Sequence, residues 1–144
     1  MEKKGDLQMK AYIHKVQYYE TDKLGITHHS NYIRWMEEAR IDYLEGIGWS
    51  YARLEEMGIA SPVRSLSCRY RLPTSFNEKI AIYPSIEECN GVLLRLRYVM
   101  TDETGKTVFE GSSEHCFLNA QGRILCINRE IPDFYAALSA EAGA

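Results

Sequence analysis

The sequence predicts an α+β protein, with one long apolar helix followed by a run of about five or six antiparallel strands. Three observations carry that expectation. Residues 31–46, NYIRWMEEARIDYLEG, repeat apolar side chains at helical spacing. The second half alternates apolar and polar residues with a period of two. The pairs Asn90-Gly91, Thr104-Gly105 and Gln121-Gly122 interrupt that alternation as turns do.

Taken in order, residues 1–7 are polar and are expected to fray. Residues 9–19, MKAYIHKVQYY, bring Tyr12, His14, Val16 and Tyr18 to one face and predict a strand. The loop ETDKLGITHHS follows, with Asp22 and Gly25 and no apolar period. In the long helix, Tyr32, Trp35, Met36, Ala39 and Tyr43 form the stripe, and Ile33, Ile41 and Leu44 widen it. Such a helix is expected to be contacted on more than one side. Ser30 or Asn31 is the expected N-cap, and Gly46 and Gly48 the stop. A shorter helix over 50–57 ends at Gly58.

Leu66, Cys68, Tyr70 and Leu72 then alternate with Ser67, Arg69 and Arg71, and Pro73 stops that strand or marks an edge. Ile80 and Ile82 belong to the next strand. Asn90-Gly91 predicts a type I′ hairpin turn, which needs positive φ at both positions. Leu94, Leu96, Tyr98 and Met100 alternate with Arg95, Arg97 and Val99. Strands are expected at 107–118 and 123–127, and a last helix at 132–139 with Pro132 in its first turn. One domain accounts for the 144 residues. A sheet that curls around so apolar a helix would bury it, although periodicity does not show the curl.

Composition narrows the function. The net charge is −3 and the pI near 5.8, so no basic field favours nucleic acid. The start, MEKKGDLQMK, has no apolar stretch behind its charges, and no apolar run approaches the ~20 residues of a membrane span. A cytoplasmic protein without membrane contact is the expectation. Cys68, Cys89, Cys116 and Cys126 form no CxxC pair. They are expected to be reduced, buried hydrophobes rather than metal ligands.

The chemistry concentrates in residues 16–40, VQYYETDKLGITHHSNYIRWMEEAR. A strand, a carboxylate on a loop, a glycine and a helix N-terminus follow in direct succession. The first N–H groups of a helix are unpaired and carry partial positive charge. They can bind the oxyanion that forms when a carbonyl is attacked. A carboxylate on the preceding loop can attack that carbonyl or draw a proton from water.

This segment resembles the signature of the 4-hydroxybenzoyl-CoA thioesterase family of hotdog-fold acyl-CoA thioesterases. The matching residues are Tyr18-Tyr19-Glu20-Thr21-Asp22, Gly25, His29, Asn31-Tyr32 and Glu38-Ala39-Arg40. Tyr70, Pro73 and the run from Gly122 through Ile131-Pro132 extend the likeness over about residues 10–138. The resemblance implies a curved antiparallel sheet wrapped around one long central helix. It implies an acyl-CoA substrate, with coenzyme A as part of that substrate, and no metal or separate cofactor. Asp22 matches the catalytic carboxylate, as nucleophile or general base. His29 matches the helix N-terminal position whose backbone N–H polarises the thioester carbonyl. Gly25, Asn31 and Tyr32 match positions that shape or contact the substrate site. Lys23-Leu24 departs from the smaller residues that relatives often carry between the aspartate and the glycine. The resemblance also implies dimers joined at sheet edges, often paired into tetramers, with a role in lipid metabolism. Two other readings are an acyl-carrier-protein thioesterase and an acyl-CoA-binding or sensing domain without catalysis.

Other residues are expected to be structural. Glu20 reads as a solvated charge or a partner for Arg40. His28 reads as a loop residue, and adjacent histidines make a poor bidentate metal site. Ser112 and Ser113 lack a nucleophile elbow and read as strand surface. Tyr32, Trp35 and Met36 suit either an acyl pocket or the core. Arg64, Arg69, Arg71, Arg95 and Arg97 read as a solvent face.

Overall fold

A computed structural model describes residues 10–142; the fraying expected for residues 1–7 lies outside them. The elements are β1 (Tyr12–Lys15), a 3-10 turn (Tyr18–Glu20), α1 (Ser30–Gly46), α2 (Tyr51–Glu56), β2 (Val63–Tyr70), β3 (Lys79–Cys89), β4 (Leu94–Thr101), β5 (Thr107–His115), α3 (Ile127–Glu130) and α4 (Pro132–Ala142). The strands form one antiparallel sheet in the order β1-β3-β4-β5-β2, with Tyr12 of β1 opposite Ile82 of β3. The α+β expectation holds, with five strands. The chain divides into two compact units. Among the described residues, one comprises residues 10–40 with Cys68–Pro84 and Tyr98–Gly111; the other comprises Ile41–Ser67, Ser85–Arg97 and residues 112–142.

In the first unit the helical stripe is buried as its spacing predicts: Tyr32, Trp35, Met36 and Ala39 are all core. The Tyr32 ring stacks on Phe109 with centroids 5.1 Å apart and lies 4.7 Å from Trp35. Trp35 and Met36 are fully enclosed, so they serve the core.

Three expectations fail here. The first strand stops at Lys15, and Tyr18 is 76% exposed instead of sharing a buried face. The Glu20 carboxylate accepts the Gln17 N–H at 2.8 Å and turns the chain into the 3-10 turn. Glu20 itself is 4% exposed, and its carboxylate holds His14 Nε2 at 2.9 Å and the Trp35 indole N–H at 2.8 Å. It is neither solvated nor the partner of Arg40, which reaches the Tyr98 hydroxyl and Glu37. Nor do Ser30 and Asn31 cap α1 with their side chains. Their N–H groups instead donate to His28, at Nδ1 and the carbonyl respectively.

The second unit packs Trp49 and Phe117 against Phe134, with ring centroids 4.8 and 5.1 Å apart. Gly48 ends α1, and the Ser50 hydroxyl accepts the Arg53 N–H to start α2. Asn90-Gly91 turns the chain but not as type I′, because Asn77 is the one described non-glycine residue with positive φ. Asn90 Oδ1 accepts the N–H groups of Val92 and Leu93, which opens the turn. Gly91 has φ +92°, and a Cβ there would lie 2.7 Å from Asn128 Oδ1. The strand expected at 123–127 is a single bridge, Leu118 to Ile124, followed by α3. Glu130 accepts the Cys126 N–H at 2.8 Å and draws the chain into that helical turn. Ser113 is buried, not surface, and bonds His115 Nε2 at 2.7 Å. The cysteines are free, but Cys116 alone is fully buried; the other three are half-buried. Two of the strand arginines are paired across strands, Arg95 with Glu88 and Glu114, and Arg71 with Glu110.

Two measurements follow from this packing. Gly91→Ala adds left-handed strain and a close contact, so it is expected to lower stability by about 1–3 kcal/mol, read as a lower urea midpoint. An unchanged midpoint would mean that Asn128 yields at no cost. For Glu20, burial raises the carboxyl pKa, but the bonds from Gln17, His14 and Trp35 prevail and hold it below its ordinary 4.5. A depressed folded value means stability that is fully present above the ordinary value and lost as pH falls through the folded one. Urea midpoints recorded down the acid range should therefore fall more steeply for wild type than for Glu20→Gln. Parallel curves would contradict this.

Candidate active site

Residues 20–28 close on themselves as a miniature hairpin. The His28 N–H donates to the Glu20 carbonyl at 2.8 Å, Thr21 bridges Thr27, and the Asp22 N–H donates to the Ile26 carbonyl at 2.8 Å. The Gly25 N–H returns to the Asp22 carbonyl at 3.0 Å. Gly25 sits at φ +81° with open space around it, so the turn needs glycine for backbone freedom and not for close packing. Thr27 anchors the far side of the hairpin: its N–H donates to the Thr74 carbonyl, and its hydroxyl lies 2.6 Å from the Thr74 hydroxyl.

Asp22 stands at the corner of this hairpin, half-buried. Its Oδ1 accepts the Leu24 N–H at 2.8 Å, the local bond that aspartate makes in many turns. Its Oδ2 has no partner among the described residues. The turn role and an available carboxylate oxygen thus coexist.

The start of α1 follows. The N–H groups of Ser30 and Asn31 are taken by His28, and that of Tyr32 reaches the His29 carbonyl at 3.4 Å. The His29 N–H has no partner among the described residues, at the end of the helix where partial positive charge gathers. The Tyr70 hydroxyl donates to the His29 carbonyl at 3.2 Å and steadies that peptide. Partial burial, and then Cys68 beside it, push the pKa of the half-exposed Tyr70 up to about 12, so it remains a donor at neutral pH. The His29 ring packs on His28 with centroids 4.3 Å apart.

Two recesses flank this helix end. The larger, about 830 Å³, is lined by Asp22 and Asn31 with Lys23, His28, Arg34 and the exposed Tyr18 and Tyr19. The smaller, about 350 Å³, is lined by His29 and Tyr32 with Ile26, Tyr70, Leu72 and Pro73. Of the residues singled out from sequence, Asp22 and Asn31 therefore share one recess, and His29 and Tyr32 the other. Asn31 commits its amide NH₂ to the carbonyls of Glu20 and His28. The Tyr32 hydroxyl is fixed on Thr74 at 2.9 Å, and burial raises its pKa. His28, Tyr70 and Glu20 were not expected to shape the site. A helix-start signal exists for His28 in its position, but the roles of Tyr70 and Glu20 depend on partners distant in sequence. Among the described residues no group of His, Cys, Asp and Glu is arranged to hold a metal. No described helix is long and apolar enough to cross a membrane.

Known proteins resemble this chain in sequence and fold. A family model described as the thioesterase-like superfamily matches residues 16–141, which include the whole hairpin and α1. A candidate esterase of Aquifex aeolicus is 32% identical over 120 residues, 83% of this chain and 92% of its own. A candidate acyl-CoA thioesterase of Bacillus subtilis, YneP, is 28% identical over 124 residues, 85% of this chain and 90% of its own. The crystal structure of a DHNA-CoA thioesterase from Staphylococcus aureus has a TM-score of 0.87 at 31% identity, covering 91% of this chain and 89% of that one. The chain belongs to the thioesterase-like superfamily, the hotdog-fold thioester hydrolases that the motif from Tyr18 to Arg40 implies.

Proposed function

We propose that this chain hydrolyses an acyl-CoA to the free acid and coenzyme A, acting as a single domain through Asp22 and the His29 N–H. One observation supports the residue assignment above others. A carboxylate oxygen and a helix-end N–H, both without partners among the described residues, stand on one hydrogen-bonded hairpin and its exit. The relatives named for acyl-CoA and DHNA-CoA thioesters support the substrate class.

A thioester carbonyl is electrophilic because sulfur donates poorly into it, and the thiolate leaves readily. Little help is needed. The carbonyl oxygen accepts the His29 N–H, which stabilises the charge that grows there as the carbon is attacked. Asp22 Oδ2 then acts in one of two ways. It bonds to the carbonyl carbon, expels the thiolate and leaves a mixed anhydride that water opens. Or it takes a proton from the water that attacks directly. Both routes consume one water per acid released and leave Asp22 unchanged. No metal and no separate cofactor enter either.

The smaller recess suits the acyl group. Its walls are mostly aromatic and apolar, with Thr27 and Arg71 as further polar members beside His29, and its volume of about 350 Å³ lies near the lower end of the ~300–1,000 Å³ typical of small-molecule sites. Short or aromatic acyl groups fit it best. The larger recess suits the coenzyme A arm, with Lys23 and Arg34 as positive charge for its phosphates. In this scheme Tyr32 walls the acyl side, Asn31 the coenzyme side, and Gly25 shapes the turn that carries Asp22.

The active form is an oligomer in this reading. Strand β2 lies at an edge of the sheet, and Val63, Leu66 and Tyr70 on it are each more than 40% exposed. An apolar open edge invites pairing with a second copy.

Three outcomes are expected. Wild type should release free thiol from one or more acyl-CoAs in a panel, and Asp22→Asn should lose about 10²–10⁴-fold in kcat. Equal turnover in the mutant would reject Asp22. A folded wild type inactive on every acyl-CoA would point to carrier-protein substrates or to binding alone. Single turnover in ¹⁸O-water that places label in Asp22 would establish the anhydride opened at Cγ; the general-base route, like anhydride opening at the acyl carbon, puts the label in the free acid alone. Leu66→Glu should shift the protein toward monomer by light scattering and lower its activity; a fully active monomer would reject the oligomer requirement.

A further inference from the structure

Glu20 is a buried acid that the chemistry above does not use. Taking a carboxylate out of water is costly unless its oxygens are well bonded. Here both oxygens are engaged, Oε1 by the Gln17 N–H and His14 Nε2, Oε2 by the Trp35 indole. The Glu20 carbonyl takes two further donors, the His28 N–H at 2.8 Å and the Asn31 amide at 2.9 Å. One residue thus ties together β1, the 3-10 turn, the second turn of α1 and the entry to α1. Behind it, His14 is held on its other side by Glu38 at 3.2 Å, which also accepts the Tyr12 hydroxyl at 2.8 Å. Arg40 bonds the Tyr98 hydroxyl and pairs with Glu37 instead. His14 is therefore the basic group bonded to Glu20.

The placement of this clamp matters. Glu20 closes the base of the hairpin that carries Asp22, and His28, its partner across that base, directly precedes His29. A shift of residue 20 moves Asp22 and the His29 N–H relative to each other. We propose that Glu20 is the positioning residue of this site, its carboxylate clamped on His14, Gln17 and Trp35 so that Asp22 stays in register with the His29 N–H. The inference rests on the assignment of Asp22 and His29 made above.

Steady-state kinetics on the best acyl-CoA test it, beside Asp22→Asn as reference. Glu20→Gln keeps the shape but turns an NH₂ group toward one of three donors. Its kcat should fall about 10–100-fold, the cost of a misplacement of under an ångström, with KM within about threefold of wild type. His14→Gln retains a donor near the place of Nε2 and should keep kcat within about threefold, whereas His14→Leu should lose about tenfold. Thermal melts identify the folded variants. If Glu20→Gln does not fold, the two His14 variants carry the test. A folded Glu20→Gln with wild-type kcat, a change confined to KM, or equal loss in both His14 variants would each overturn the proposal while Asp22→Asn stays inactive. A folded wild type inactive on every acyl-CoA, or an active Asp22→Asn, would overturn the underlying assignment instead.

Discussion

The closure between the Glu20 carbonyl and the His28 N–H is the bond on which the site depends. It converts residues 20–28 from a loop into a hairpin with a defined corner, and Asp22 occupies that corner. It also settles where α1 begins. With His28 fixed, its carbonyl and ring nitrogen absorb the N–H groups of Asn31 and Ser30. The His29 N–H is left over. A helix has several unpaired donors at its start, and most proteins satisfy them with side chains or water. Here the local bonds use up the neighbours and leave the His29 N–H without a partner among the described residues.

The same economy governs the polar groups behind the site. Tyr32, Thr27 and Thr74 bond among themselves, and Tyr70 holds the His29 peptide from the side. Buried hydroxyls and carboxylates would weaken the core if left unbonded. Bonded as they are, they join the hairpin to residues 70–75 across an otherwise aromatic interior. Tertiary bonds rather than helix propensity therefore define the end of α1 that faces solvent.

Much of the fold was legible because burial is periodic. Tyr32, Trp35, Met36, Ala39 and Leu44 of the helical stripe and the alternation along β4 reach the core as their spacing demands, whereas Ile33 is exposed and Ile41 and Tyr43 are half-buried. The glycine turns after Gly48, Gly58, Gly105 and Gly122 are all left-handed, as a residue without Cβ permits. The failures share a different cause. Tyr18, Asn90 and the segment after Gly122 look like strand or tight-turn sequence, but Glu20, Asn90 and Glu130 redirect the backbone with their side chains. Period counting does not register such bonds. The site divides in the same way. Asp22 and His29 stand out through a short motif. Glu20 and Tyr70 do not, because what they do is decided by Trp35 and His29, distant in sequence and near only after folding.

The two recesses on either side of the α1 entry have an evolutionary consequence. Three walls of the smaller one, Ile26, Leu72 and Pro73, contribute no side-chain hydrogen bond to the hairpin that carries Asp22, unlike Thr27, which anchors it. Their side chains are free to change size without disturbing the hairpin. In the proposed scheme, a lineage can therefore exchange one acyl group for another by a few substitutions while Asp22 and its hairpin are inherited intact. Diversification of diet, so to speak, is decoupled from maintenance of the jaw.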